Sequence, residues 1–268
     1  MSSLTMAGIT DPGMVRDHNE DCYLIVPQKG LAILADGMGG HLAGEVASSL
    51  AVNVISSYLT DNLARARKAR KSADGFSAEA KTVLKAVELA NGAIYETSRT
   101  RPEFSGMGTT VVVAVFRANK LYVAHVGDSR LYRLRHSSLT QLTKDHSMVQ
   151  ELLRQGLITS EEARTSNARN LVTRALGVDA TVRPDIQEHT VQAGDKYLLC
   201  SDGLNDLLPD DDIQSMLANY GANLEYAIQK MVMVVNAKGG PDNVSVVAVR
   251  AGKPPVTRVK KTRRKSRV

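Results

Sequence analysis

LAILADGMGG, residues 31–40, opens on an unbroken apolar run and closes on a carboxylate and three glycines. An apolar run of this length bounded by glycine reads as a strand covered on both faces. Asp36 then sits where the chain leaves the core. Gly37, Gly39 and Gly40 let the backbone turn, and a glycine carbonyl can approach an ion with no Cβ in the way. Taken alone, the stretch reads better as a plain strand and turn with a solvated aspartate. The same grammar recurs along the chain, however, and the recurrence gives it meaning.

Composition limits what that meaning can be. The chain has 268 residues, 43% hydrophobic and 23% charged, as expected of a globular protein large enough for a sizeable core. Trp is absent and aromatics make up 4%, so no base-stacking platform is indicated. The net charge of +6 is concentrated at one end: Lys253, Arg258, Lys260, Lys261, Arg263, Arg264, Lys265 and Arg267 leave the rest of the chain at −2. Residues 252–268 read as a basic, disordered tail. Two cysteines, Cys22 and Cys200, are too few for a disulfide framework and fit a reducing cytoplasm. No leader segment is read, and no apolar run nears the ~18 residues of a membrane span.

Working outward from Asp36, a first strand is expected over 3–10, a turn at Asp11-Pro12-Gly13, and the polar cluster Met14–Asp21. A strand follows over Cys22–Pro27, with a hairpin turn at Gln28–Gly30 leading into the Leu31 strand. Arg16, Glu20 and Asp21 thus precede one strand while Asp36 ends its neighbour, and antiparallel pairing brings them together at one sheet edge. Helical spacing appears over Gly44–Leu59 and Ala78–Thr97. Residues 61–77, rich in Arg and Lys, read as a solvated connector. Strands are expected over Gly108–Phe116, Leu121–Val126 and Leu131–Leu134, then a helix over Ser147–Gln155. A polar stretch, 156–184, reads as surface flap. Strands at 185–190 and 195–200, helices at 210–219 and 224–237, and a last strand, Val244–Val249, complete the chain.

Asp36-Gly37, Gly127-Asp128, Asp202-Gly203 and Asp242-Asn243 all fall at strand ends or strand starts beside glycine. Like-charged carboxylates crowded at one edge repel, which raises their pKa values or splays them apart unless counter-charge is present. All-oxygen ligands, without paired His or Cys spacing, favour hard ions, Mg²⁺ or Mn²⁺. Two such ions activate water and stabilise an in-line displacement at phosphorus. Arg16 offers a planar fork suited to phosphate. Each Asp-Gly pair is a weak signal; four of them with Arg16…Asn19-Glu20-Asp21 form a strong one.

The ordered set Arg16…Asn19-Glu20-Asp21, ADGMGG, GMGTT, VGDSR, DH, TRALG, CSDGLND and GGPDN resembles the metal-dependent protein phosphatases of type 2C in their compact bacterial form, over roughly residues 4–250. The resemblance implies an α+β fold, a central sandwich of two antiparallel sheets flanked by pairs of helices, in one catalytic domain over residues 1–251. It implies hydrolysis of phosphoserine and phosphothreonine in proteins, opposing a serine/threonine kinase. Asp36 would bridge two catalytic Mn²⁺ or Mg²⁺ ions and the Gly37 carbonyl would bind the second. Asp202 and Asp242 would complete the first ion's shell, and Glu20 would stand near the second with Asp21 behind it. Asp128 with Asp202 would hold a third, weaker ion. Arg16 would clamp the substrate phosphate, and the flap of residues 147–180 would shape access. Met38 stands where many eukaryotic relatives carry a histidine acid, and His41 does not inherit that role. His146 and Asn243 read as structural hydrogen-bonding residues, as do Thr109, Ser129 and Arg130.

Two other classes remain to be weighed: a phosphatase-like module that binds a ligand without turnover, and a nucleic-acid-binding protein suggested only by the tail. The full carboxylate set disfavours the first and the acidic body the second. A monomer is expected, acting on phosphoproteins, with the tail free to contact acidic partners or anionic surfaces.

Overall fold

The computed structural model describes residues 3–40, 42–66, 75–166 and 171–252. In chain order, the first elements are β1 (Leu4–Asp11), β2 (Asp21–Val26), β3 (Leu31–Met38), α1 (Ala43–Ala66) and α2 (Ala78–Thr100). The middle of the chain supplies β4 (Gly108–Thr109), β5 (Val111–Arg117), β6 (Lys120–Val126), β7 (Arg130–Arg135), β8 (Ser138–Gln141), α3 (Met148–Arg154) and α4 (Ser160–Thr165). The last elements are β9 (Asp185–Thr190), β10 (Lys196–Cys200), α5 (Asp202–Asn205), α6 (Asp210–Tyr220), α7 (Leu224–Ala237) and β11 (Val244–Ala251).

The strands form two antiparallel sheets, one in the order β1-β11-β10-β7-β8 and the other β2-β3-β5-β6-β9, with β4 on the end of β3. Three hydrophobic layers explain why the strands are apolar at successive positions. Leu31, Ile33 and Ala35 of β3 face α1 and α2, together with Val111, Val113 and Val115 of β5. Ala32 and Leu34 alternate to the other side and meet Leu199 and Val247 between the sheets. The β1-β11-β10-β7-β8 sheet packs its outer face, with Leu198, Val246 and Ala248, against Ile213, Leu217, Ile228 and Met231 of α6 and α7. The result is the expected four-layer arrangement, helices–sheet–sheet–helices.

Helix starts follow local chemistry. Ser77, Ser147 and Asn223 cap α2, α3 and α7 by accepting backbone N–H groups of Ala80, Gln150 and Tyr226.

Several boundaries differ from the sequence reading. β3 does not stop at Ala35: Gly37 and Met38 stay extended and pair with Thr109 and Gly108. The strand expected over Gly108–Phe116 is broken at Thr110, whose N–H bonds Asp36 O while Thr109 exchanges backbone bonds with Leu176. Residues 61–66 of the expected connector continue α1, with Leu63 buried; 67–74 lie outside the described residues. Asp202 opens the short helix α5 rather than ending β10. The flap contains α4, closed by a capping box between Thr159 and Glu162. His41, Asn167, Arg169, Asn170 and residues 253–268 of the basic tail also lie outside the described residues.

Candidate active site

The register of the β2–β3 hairpin places Asp21 directly opposite Asp36. Both lie at the same end of the sandwich as the start of α5 and the turn before β11, which bring in Asp202 and Asp242. Close backbone approach makes this possible. A Cβ on Gly37 would lie 2.1 Å from Gly44 O and 2.6 Å from Glu20 O, and one on Gly203 2.0 Å from Asn243 O. Only glycine fits at either place.

Asn243 ties the segment before β2 to the site. Its Oδ1 accepts Glu20 N–H at 2.8 Å, and its Nδ2 donates to Pro12 O at 3.0 Å and His18 O at 2.9 Å. Asp242 is turned by accepting the Asn243 N–H. Arg16, carried on the same segment, donates through Nη2 to Asp242 Oδ2 at 2.8 Å, with both side chains partly exposed. Ser201 donates to Asp21 Oδ2 at 2.8 Å and itself accepts Ser245 N–H, so one buried hydroxyl, held by a backbone amide, fixes one face of that carboxylate.

The electrostatics are those of crowded acids. Burial first, then repulsion from Asp21, Asp202, Asp128 and Asp242, holds Asp36 well above the usual carboxylate range. Asp202 is raised likewise, by burial and then by Asp128, Asp206, Asp242 and Asp21. Asp21 is pushed up to about 6, chiefly by burial, and Asp128 to about 6 by burial and Asp145. Glu20 is raised by burial, with Arg16 opposing. Asp21 Oδ1 is buried with no hydrogen-bond partner. An orphaned carboxylate oxygen among mutually repelling carboxylates fits hard divalent cations, since the donors are all oxygen and their excess charge is what a cation offsets.

Every residue singled out from sequence therefore converges: Arg16, Glu20, Asp21, Asp36, Gly37, Asp128, Asp202 and Asp242. Sequence reasoning missed Ser201 and Ser245, whose partners are remote along the chain; the Ser-Asp-Gly context of Ser201 was the available hint. Thr109, Ser129 and Arg130 are structural. Thr109 Oγ1 donates to Asp36 O, Ser129 shares a hydrogen bond with Thr110, and Arg130 grips Asp145 with bonds down to 2.7 Å. Burial drives the Cys200 thiol up to about 12, which favours its protonated form.

A cleft of about 670 Å³ opens from the carboxylates between the flap and α5–α6, lined by Asp128, Arg130, Asp145, Gln150, Asp202 and Asp206 among others.

A second group lies at the root of the flap. Ring nitrogens of His125 and His146 and a carboxylate oxygen of Asp185 fall within 4.8 Å of one another. Gly127 N–H donates to His146 Nδ1 at 3.1 Å, which assigns the neutral ring's proton to Nε2, turned toward Asp185 at 3.5 Å. Burial and neighbouring positive groups lower the His146 pKa to about 4, so the ring is neutral. An ion here would meet that Nε2 proton and the Arg174 guanidinium, 3.4 Å from both partners. The group is a brace rather than an ion cage.

Known proteins resemble the chain over nearly all of this structure. The protein phosphatase 2C family matches residues 16–235. The serine/threonine phosphatase stp of Listeria welshimeri is 37% identical over 244 residues, covering 90% of this chain and 93% of that protein. The serine/threonine protein phosphatase PstP of Mycobacterium tuberculosis is 39% identical over 91% of this chain, which spans 44% of PstP. A crystal structure of that phosphatase superposes with a TM-score of 0.81 at 38% identity, covering 93% of this chain and 99% of the solved one. A second, of the PstP catalytic domain in complex with two manganese ions, gives 0.78 over the same shares. With the family matched over residues 16–235, a relative 37% identical over 90% of the chain and the sandwich superposed at a TM-score of 0.81, the chain belongs to the protein phosphatase 2C family.

Proposed function

We propose that the protein is a metal-dependent serine/threonine protein phosphatase that hydrolyses phosphoserine and phosphothreonine in other proteins. One observation carries this reading: Asp21, Asp36, Asp128 and Asp202 are buried together beside the partly exposed Asp242, and this crowding of charge raises the pKa values of Asp21, Asp36 and Asp202, with Arg16 alongside. Residues 1–251 serve as one catalytic domain. Asp36 would be shared by two Mn²⁺ or Mg²⁺ ions, with Asp202 and Asp242 on the first and Glu20, Asp21 and the Gly37 carbonyl at the second. Asp128 with Asp202 would hold a third, weaker ion. The two manganese ions in the PstP catalytic domain support the assignment of a pair. When bound, such ions acidify a water for attack on phosphorus and offset charge on the phosphate oxygens.

The chain's own groups do the rest. Arg16 holds the phosphate with its fork, and its bond to Asp242 keeps the guanidinium beside the carboxylates. Ser201 orients Asp21, and Asn243 keeps the Arg16 segment in place. Met38 supplies no acid for the departing alcohol. The acidic cleft under the flap receives the polypeptide flanking the phosphorylated residue.

The substrates include the products of a serine/threonine kinase. The reaction takes place in the cytoplasm, where the reduced thiols suit the compartment; no described helix is long and apolar enough to cross a membrane. The protein works as a monomer, and the basic tail contacts acidic partners or anionic surfaces. Phosphate release from a phosphothreonine peptide, with Mn²⁺ and with excess chelator, tests the function. Release only with the ion is expected; equal release in chelator would overturn it.

A further inference from the structure

The brace at the flap root acts on one residue, Gly127, through the peptide groups on either side of it. His146 is 6% exposed and precedes α3. Its ring Nδ1 accepts Gly127 N–H at 3.1 Å, and its own backbone N–H donates to Gly127 O at 3.0 Å. Both polar atoms of Gly127 are thereby held by one residue. Gly127 has φ +105°, and a Cβ there would lie 2.5 Å from Thr110 Cβ, so no other residue replaces it cheaply. The next residue is Asp128, 7% exposed, whose carboxylate projects into the acidic cleft.

His146 also faces the flap. Its carbonyl accepts Thr173 N–H at 2.8 Å, Met148 N–H bonds Leu171 O at 2.9 Å, and Ser147 pairs with Val172. Its Nε2 faces Asp185, which Arg174 also contacts. The ring stacks on His125 with centroids 4.8 Å apart and planes 19° apart, and His125 is held through its Nε2 to Lys144 O at 2.8 Å. The imidazole therefore has one orientation, fixed from three sides.

We propose that His146 is a positioning residue for Asp128: it clamps Gly127 by both its N–H and its C=O, sets where the Asp128 carboxylate stands, and joins that carboxylate to the flap. The inference rests on the reading of Asp128 as a ligand of the weak third ion. A neighbour that orients a ligand without touching the ion typically changes its affinity by roughly 10- to 100-fold when removed. His146 is expected to act on the third ion alone, because its contacts lead to Gly127 and not to Asp36 or Asp242.

The side chain of asparagine supplies the discriminating variant. Its Oδ1 lies about where His Nδ1 does and can accept the Gly127 N–H, whereas it cannot reach Asp185. Two measurements are made on wild type, His146→Asn, His146→Ala and Asp128→Ala. Amide hydrogen exchange at Gly127 is read in metal-free protein, and Mn²⁺ affinities are read by titration calorimetry. Slow exchange in wild type and His146→Asn, with exchange at least tenfold faster in His146→Ala, is expected. The weakest Mn²⁺ site should weaken roughly 10- to 100-fold in His146→Ala and recover most of that in His146→Asn, with the two tighter sites unchanged. Equal exchange in all variants, or equal weakening in the Asn and Ala variants, overturns the proposal, since a merely structural histidine would not be rescued by one acceptor. If Asp128→Ala leaves every Mn²⁺ affinity unchanged, the third-ion reading fails and takes the proposal with it. If Asp128→Ala removes the weak site while His146→Ala does not alter it, only the proposal fails.

Discussion

Asp21, Asp36 and Asp202 are destabilising when ionised in the folded, metal-free protein, because burial and mutual repulsion both oppose their charge. Their folded pKa values are raised, so the folded state binds protons more tightly than the unfolded chain does. The stability they contribute is therefore full below the ordinary carboxylate value of 3.8 and is lost as pH rises through the folded values, about 6 for Asp21. In chelator, the melting temperature is expected to fall between about pH 4 and pH 7, and Mn²⁺ is expected to reverse the fall at pH 7. Asp36→Asn should flatten this slope, raise metal-free stability and abolish turnover. Thermal melts across that range check it, and an Asp36→Asn protein that keeps near-normal turnover would remove Asp36 from the centre of the site. Asp36 and Asp202 were legible in the sequence because each Asp-Gly pair punctuates an apolar strand, and the hairpin reading brought Asp21 and Asp36 to one sheet edge. Ser201 was not legible. Its carboxylate partner is 180 residues away, and no local pattern encodes a contact made only when two sheets pack.

At the scale of elements, the site depends on how tightly α1 lies against the β2–β3 hairpin. Gly37 has backbone oxygens of Gly44 and Glu20 where a Cβ would go, and neither can rotate away. Gly37→Ala is expected to lower stability by about 1–3 kcal/mol through overpacking. It should reduce Mn²⁺-dependent turnover as well, since the shift moves Glu20 and Asp36 apart. Calorimetric melting and a turnover assay check this, and an unchanged melting temperature would show that the helix slides aside. Long elements were readable from period alone: α7 matches its expected range of residues, and β3, β5 and β6 are buried on both faces as their apolar runs required. The misses were short or broken elements. β8 is four alternating residues with no apolar run, and the break at Thr110 arises from bonds to Asp36 and from the neighbouring Thr109–Leu176 pairing. α4 did carry a signal, Thr159 followed three positions on by Glu162, which is a capping box. The end of α1 was obscured by charge, because Arg65 is a solvated residue on a helix whose other face buries Leu63.

For the whole molecule, charge is divided between an acidic body and a basic tail, and the two should affect catalysis differently. Arg16 touches the site through Asp242, so Arg16→Ala should lower kcat/KM on p-nitrophenyl phosphate and on phosphopeptides alike. Loss of one charge-assisted contact of about 1.5–3 kcal/mol corresponds to roughly 10- to 150-fold. Deleting residues 253–268 should leave p-nitrophenyl phosphate hydrolysis intact, and any effect on large substrates should fade as salt shortens the Debye length to ~8 Å near physiological strength. Parallel assays of both variants decide it: a deletion as damaging as Arg16→Ala on the small substrate would place the tail in the chemistry.

The pairing of β1 with β11 gives the molecule two poles. Asp11 lies opposite Val244, next to the Asp242 turn, while Leu4 lies opposite Ala251 at the other end, where Gly252 N–H bonds Ser3 O at 2.7 Å. The eight strand residues of this ladder separate its ends by about 24 Å. Residues 3 and 252 are thus neighbours, and both sit at the pole away from the carboxylates. Whatever is fused to either one, an affinity handle or a fluorescent reporter, hangs behind the catalyst and leaves its mouth open. A few residues of linker between residues 3 and 252 would close the sandwich into a ring, so that the backbone can be cut anew at a surface loop and the same fold read from a different starting point.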